Sequence, residues 1–138
     1  MPARDRLHDV VRVALERDGW VITADPLVLP VGLHNLYVDL AAERVLAAER
    51  GTDRIAVEVK GFTGRSEVAD LEQALGQYVL YRALLERSDP TRKMILAVPR
   101  APWLSLFESE LGRAAREGVA VHAMVFDPGT MEVWRWAP

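Results

Sequence analysis

The run Ile55-Ala56-Val57-Glu58-Val59-Lys60 constrains this chain more than any other segment. It is a strong strand signal. Strand side chains alternate, so Glu58 and Lys60 point to one face while Ile55, Val57 and Val59 point to the other. A carboxylate and an ammonium on one face of a central strand require partners, because burying an unpaired charge is expensive. A second interrupted strand precedes this one: Asp39 breaks the apolar run from Leu36 to Leu40. If the two strands are neighbours, Asp39 and Glu58 make a hard oxygen site of the kind Mg2+ (or Mn2+) favours, with the Val59 carbonyl and waters completing the shell. Such an ion would polarise a scissile phosphate and lower the pKa of an attacking water. Lys60, a compact positive group, would orient that water and stabilise developing charge. A plainer reading stands beside this one. A Glu-x-Lys pair ordinarily marks a solvated sheet face, and Asp39 could be a strand-end residue paired with Arg44 or Arg54.

The flanking segments set the fold class. A first helix is expected over about Arg4 to Asp18, where Leu7, Val10, Val11, Ala14 and Leu15 recur at three and four residues. His8, Arg12 and Glu16 lie on its more polar side, and Gly19 ends it. Trp20 to Thr23 is β-rich, and Asp25-Pro26 punctuates it. Ala41 to Arg50 suits a helix by composition and a strand by spacing. With a turn at Gly51-Thr52-Asp53, the favoured arrangement is a β-hairpin whose second arm ends at Lys60. Ser66 would cap a long helix over about Glu67 to Leu85, with Val68, Leu71, Leu75 and Val79 as its apolar stripe. Met94 to Val98 reads as a strand. Pro102 opens a third helix, about Trp103 to Arg116, burying Leu104, Phe107, Leu111, Ala114 and Ala115. Strands over Val119 to Phe126 and Met131 to Trp136 flank a turn at Asp127-Pro128-Gly129-Thr130. The order α-β-β-β-α-β-α-β-β predicts an α/β domain with a mixed central sheet flanked by helices.

A length of 138 residues fits one domain, 1–138. The absence of cysteine excludes disulfides, thiolate zinc sites and a cysteine nucleophile. No apolar run reaches membrane-spanning length, and the opening MPARDRLHDV lacks a signal-peptide stretch, so a cytoplasmic location is expected.

Gln77 and Tyr81 lie four residues apart, and so share a helix face just after the Glu-x-Lys strand. Asp39, then Glu58-Val59-Lys60, then Gln77-x-x-x-Tyr81 resembles the signature of the PD-(D/E)XK phosphodiesterases. The resemblance implies a restriction-endonuclease-like core. It also implies that Gln77 and Tyr81 flank the active site and help to bind DNA. Val38 stands where the family name has proline. A closer resemblance covers nearly the whole chain. MPARDRLHD, DGWVITADPL, LYVDLAAER, IAVEVKGF, ALGQYVLYR and LAVP followed by VFDP look like the XisH family, the fdxN-element excision controlling factors. Here Gly32 is followed by Leu33 where that family tends to pair its glycines, and Gly61 follows Lys60 where a serine is frequent. The resemblance implies a DNA-processing role beside a separate recombinase, and a small XisI-like companion protein. It allows either retained nuclease chemistry or a regulatory, non-catalytic role with that companion.

Other residues carry weaker signals. In related nucleases an acidic group of the first helix often completes the metal site. Asp9 or Glu16 could do so, with Glu16 preferred, and a solvated helix face explains both equally. Glu43 and Glu49 read as sheet-face or hairpin charges. His8, His34 and His122 show no metal-ligand spacing, and His122 reads as a packed residue. Trp134 and Trp136 share a face of the last strand, either core or partner surface. The formal net charge of -3 gives no help in attracting DNA. Arg65 and Arg82 would be local anchors, and a homo-oligomer or heteromeric partner would complete the groove.

Overall fold

The computed structural model describes residues 3–47 and 51–138. Helix α1 (Ala3–Arg17) leads into strand β1 (Val21–Ala24), a hairpin of β2 (Leu27–Val31) and β3 (His34–Val38), then β4 (Leu40–Ala47) and β5 (Gly51–Val59). Helix α2 (Glu67–Ser88) crosses to β6 (Arg92–Pro99). A short helix α3 (Arg100–Pro102), a π-helical turn (Trp103–Phe107) and helix α4 (Glu110–Val119) lead to β7 (Ala123–Asp127) and β8 (Glu132–Ala137). The main sheet has six strands in the order β1-β4-β5-β6-β7-β8. The pairs β5–β6 and β6–β7 are parallel, and the others are antiparallel. This is the mixed sheet flanked by helices that the element order predicts. No helix among the described residues is long and apolar enough to cross a membrane.

Alternation along β5 sorts the core into two layers. Ile55, Val57 and Val59 pack with Val10, Val11 and Leu15 of α1. Ala56 faces the opposite layer, with Leu71, Ala74, Tyr78 and Leu85 of α2 and with Trp103, Leu106 and Phe107. A strand buried on both faces must be a central one, and β5 lies between β4 and β6.

The segment from Leu36 to Leu40 is not one strand. It ends β3, bends at Asp39 and starts β4. The β2–β3 hairpin was not foreseen, because Pro26 and Pro30 obscure the strand between them. Ala41 to Ala47 is strand, since the sheet overrides the helix propensity of alanine and glutamate. Gly51-Thr52-Asp53 is also strand, paired with β4, so the expected turn there is corrected. Glu49 and Arg50 lie outside the described residues.

Ser66 caps α2 as expected, its hydroxyl accepting from the Ala69 N–H at 3.2 Å. The helix buries a different stripe from the expected one, however. Val68 and Val79 are exposed, whereas Leu71, Ala74, Tyr78 and Leu85 are buried. Both series have helical spacing. The second one buries the Tyr78 ring against the sheet and still satisfies its hydroxyl, which donates to the Met94 carbonyl (3.3 Å) and accepts from the His122 N–H (3.0 Å). Tyr78→Phe is therefore expected to cost about 1–2 kcal/mol, by leaving buried backbone groups without a partner. Urea unfolding measures this, and an unchanged midpoint would show that those two bonds add nothing.

The expected third helix is broken. The π-helical turn shifts the register, so that Trp103, Leu106 and Phe107 are buried while Leu104 and Leu111 are exposed. Ser109 caps a fresh helix by accepting from the Gly112 N–H. Gly112 is required there, because a Cβ would sit 2.0 Å from the Leu106 carbonyl oxygen. Val119 consequently ends α4 and does not begin a strand. A bulge in the last strand skips Trp134 between the pairs Val125–Arg135 and Phe126–Val133 and so separates the two tryptophans. Trp136 packs beside Trp20, while Trp134 stays exposed beneath the Arg100 guanidinium.

Candidate metal centre

The register that pairs Leu40 with Val57 sets Asp39 across from Glu58, at the carboxyl end of β5. The bend at Asp39 frees its backbone from the ladder and turns it toward the acid opposite. The Asp39 N–H donates to Glu58 Oε1 at 3.2 Å, and the Val59 N–H donates to Asp39 Oδ2 at 2.8 Å. It is thus the amide of Val59 that touches Asp39. Lys60 Nζ lies 3.7 Å from Glu58 Oε2. Arg44 pairs instead with Asp18 and Asp53, and Arg54 with Glu43 and Asp89, so neither holds Asp39 as the plainer sequence reading allowed.

Glu58 is only 2% exposed. Burial first, then the neighbouring charge of Asp39, push its carboxyl up to about 7, against the opposing pull of Lys60. A buried acid and a second carboxylate stand side by side here, with Lys60 beside Glu58. Two facing carboxylates are a hard oxygen donor set, and that chemistry fits Mg2+ or Mn2+ completed by waters. Among the described residues, no group of three or more histidine, aspartate or glutamate side chains is placed to hold a metal ion.

After Lys60 the chain turns through Phe62, whose φ of 57° is left-handed and whose ring meets Phe107 edge-on. The Gly64 N–H donates to Asp70 Oδ2 at 2.8 Å and ties this loop to the first turns of α2. The result is a cleft of about 120 Å³ lined by Lys60, Phe62, Thr63, Gly64, Asp70 and Gln73. Gln77 and Tyr81 do not line it; Gln73, one turn earlier, does. Tyr81 is half-buried against the α2-side core. Gln77 is half-buried, with its Oε1 lacking a hydrogen-bond partner among the described residues.

The first helix contributes a residue that spacing alone passed over. His8 Nε2 sits 2.7 Å from Asp25 Oδ1, and His8 Nδ1 lies 3.9 Å from Asp39 Oδ1. Glu16, preferred at this point, is exposed and paired with Arg12. It stands eight residues further along α1, about 12 Å from His8 along the helix axis. Asp9 is exposed. Arg82 is not an open anchor: its guanidinium donates to the Val119 and Ala120 carbonyls at the end of α4 and lies over the Tyr78 ring. Arg65 is exposed in the loop after Lys60. His122 is half-buried, and burial, then Lys93 and Arg82, hold its ring below the usual histidine range. It lines a separate cleft of about 530 Å³ with Arg113, Arg116 and Arg135, where Glu108 already pairs with Arg135.

Comparison with curated proteins gives no match. A family model described as "XisH protein" matches residues 1–134. Among solved structures, the chain is similar to an XisH family protein from Nostoc punctiforme, with 37% identity and a TM-score of 0.88 over 97% of this chain and 100% of that one. It is equally similar to a fdxN element excision controlling factor protein from Anabaena variabilis, with 37% identity and a TM-score of 0.88 over 98% of this chain and 100% of that one. With the family model spanning nearly its full length and both structures sharing its whole fold, the chain belongs to the XisH family.

Proposed function

We propose that this protein is a DNA-processing factor that hydrolyses phosphodiester bonds with a divalent ion at Asp39 and Glu58, and that it does so only when a partner completes its DNA-binding surface. The observation that carries the reading is the placement of Asp39 opposite the buried Glu58, with Lys60 3.7 Å from the Glu58 carboxylate. The description of the Anabaena relative as an excision controlling factor supports DNA as the substrate. A bound divalent ion would supply Lewis acidity at the phosphate and a more acidic water. Asp39 and Glu58 would hold it, with the Val59 carbonyl as a further oxygen donor. Lys60 would orient the water and neutralise charge that develops on the phosphoryl oxygens. Thr63 and Gly64, beside Lys60, border the space a substrate backbone would enter.

Capture of DNA is the weak step. Strong DNA binders make roughly six to ten phosphate contacts, whereas this chain carries a net charge of -3. The engagement of Arg82 with α4 removes one of the two expected anchors. A second copy or a small XisI-like companion would supply the missing cationic surface. The same charge balance favours a second reading, a regulatory assembly protein without catalysis.

The test is binding and cleavage of linear, branched and single-stranded DNA at low salt, with Mg2+ or Mn2+, with and without the companion. Cleavage is expected only with the partner, and Lys60→Ala is expected to reduce it about a hundredfold or more. If wild type and K60A bind DNA equally and neither cleaves under any condition, the regulatory reading replaces the nuclease.

A further inference from the structure

We propose that the cleft between α4 and the end of β8 binds a phosphate-bearing ligand of nucleotide size, held by Arg113 and Arg116 of α4 and by Arg135 of β8. The inference does not rest on the metal-site reading. Asp39 and Glu58 stand at the carboxyl end of β5, whereas this cleft lies where α4 runs into the amino-terminal end of β7. The chain as a whole has a net charge of -3, yet three arginines line this one cleft. Its volume of about 530 Å³ is that of a small-molecule site and exceeds what a lone oxyanion fills.

The cations are placed in advance of any ligand. Arg116 Nε donates to the Phe107 carbonyl at 3.0 Å, and the guanidinium lies 4.6 Å from the centre of the Trp103 ring. That ring is buried and stacked on Phe107, so it is a fixed platform. Held at Nε and on one face, Arg116 keeps its terminal nitrogens without a hydrogen-bond or ion-pair partner among the described residues. Arg113, three residues away on the same side of α4, is exposed and likewise has no such partner among them. Arg135 pairs with Glu108 at 3.4 Å, but that carboxylate oxygen also accepts from Trp103 Nε1 at 3.1 Å. The carbonyls that end α4 would repel an anion at this place. Arg82 covers them, donating to Val119 at 2.6 Å and to Ala120 at 3.3 Å. His122 reports the local field: after burial, the positive charges of Lys93 and Arg82 hold its ring below the usual histidine range. The ring is therefore mainly uncharged at neutral pH and still offers one N–H.

A terminal phosphate suits these donors better than a carboxylate does. It brings about two charges and three strong acceptor oxygens, enough for guanidinium forks from two elements, whereas a carboxylate has two oxygens. The remaining volume accommodates a sugar and a base. The same chemistry is presented by a free nucleotide and by the end of a nucleic-acid strand.

The experiment is titration calorimetry on the full chain with EDTA present, so that no divalent ion contributes. The probes are inorganic phosphate, thymidine 5′-phosphate, a 5′-phosphorylated single-stranded oligonucleotide with its unphosphorylated counterpart, and polyglutamate. The variants are Arg113→Gln, Glu117→Gln and, as a control of equal charge change, Arg87→Gln, an exposed arginine in a different cleft. R113Q is expected to bind the nucleotide about 10–100-fold more weakly, the loss of a hydrogen bond to a charged group. Glu117 lines the cleft and opposes an anion, so E117Q should bind more tightly, while R87Q matches wild type. In wild type the His122 ring signals should shift as nucleotide is added and titrate at higher pH, because the bound anion offsets Lys93 and Arg82. Tighter binding of the phosphorylated oligonucleotide than of the nucleotide identifies a strand end as the source, and the reverse order a free nucleotide. Equal weakening in R113Q and R87Q would mean that binding follows net charge alone, and the inference falls. It falls also if polyglutamate binds while the phosphate probes do not, or if nothing binds and His122 stays unmoved.

Discussion

Glu58→Gln is expected to make the metal-free protein more stable at neutral pH, by about 3 kcal/mol. The side chain is 2% exposed, and its carboxyl is raised from the usual 4.5 to about 7 by burial and by the charge of Asp39. A shift of that size corresponds to about 3 kcal/mol at 1.36 kcal/mol per pKa unit. Below pH 4.5 the carboxyl is protonated in both the folded and the unfolded chain, and parent and variant should be close in stability. As pH rises from 4.5 toward 7, the unfolded chain releases the proton while the folded chain retains it, so the parent loses stability steadily. Above about 7 the folded carboxyl ionises as well, and the difference stays at its full size. Glutamine keeps the oxygen that accepts the Asp39 N–H, so the variant removes charge without removing that bond. Mn2+ should reverse the order, since a ligand bound by the folded state alone stabilises it by mass action. Melting curves of both proteins from pH 4 to 8, with and without Mn2+, measure this. A gap that does not change with pH would show that Glu58 is not strained by its ionisation.

Arg92→Met is expected to destabilise the fold by about 2–4 kcal/mol while leaving the metal site intact. Arg92 is 8% exposed. Its guanidinium donates to the Ile55 carbonyl at 2.9 Å and to Asp89 Oδ2 at 3.2 Å, and it lies 3.5 Å from Glu43. It therefore joins β4, β5 and the α2–β6 connection at the amino-terminal end of the parallel strands. Removing one partner of a buried ion pair typically costs roughly 3–5 kcal/mol, because the other is left uncompensated. The expected loss is lower here, because Glu43 and Asp89 are each about one-third exposed and both keep Arg54. Methionine preserves the apolar length of the stem, so the loss reports the guanidinium. Guanidinium chloride unfolding gives the value, and Mn2+ affinity checks the separation from the site at the other end of β5. A loss below about 0.5 kcal/mol would show that water replaces the guanidinium at no cost.

The parts of the site legible in the chain are those whose evidence is local. Glu58 and Lys60 lie two residues apart on a strand whose apolar residues all take the other face, so alternation alone puts them together. The Ser66 cap was equally legible, because capping involves a side chain and an amide three residues away. Expectations fell short where two patterns of equal quality competed. On α2 the spacing allowed Leu71-Leu75-Val79 and Leu71-Ala74-Tyr78-Leu85 alike, and only the sheet beneath could choose between them. On the third helix nothing in the periodicity announced a π-helical turn. What marks it in retrospect is the pair Ser109 and Gly112, a cap and a close approach inside a run that otherwise reads as continuous helix.

The sequence by itself determined the α/β class, the membership of β5 in a buried sheet, and the face shared by Glu58 and Lys60. It also carried the motifs, spread from MPARDRLHD to VFDP, by which the family is recognisable. These follow from short-range geometry: strand alternation, helical period, and the turn preferences of glycine and proline. Only the tertiary structure decided that Asp39 stands at a bend opposite Glu58, since that depends on the β4–β5 register and on a hairpin inserted before it. It also decided that, among the described residues of the first helix, His8 comes near Asp39 and Glu16 does not. Both lie on the polar side of α1, and helical period cannot say which turn of a helix lies over a strand end. That is fixed by where Val10, Val11 and Leu15 seat against the sheet, a matter of packing between segments distant in the chain.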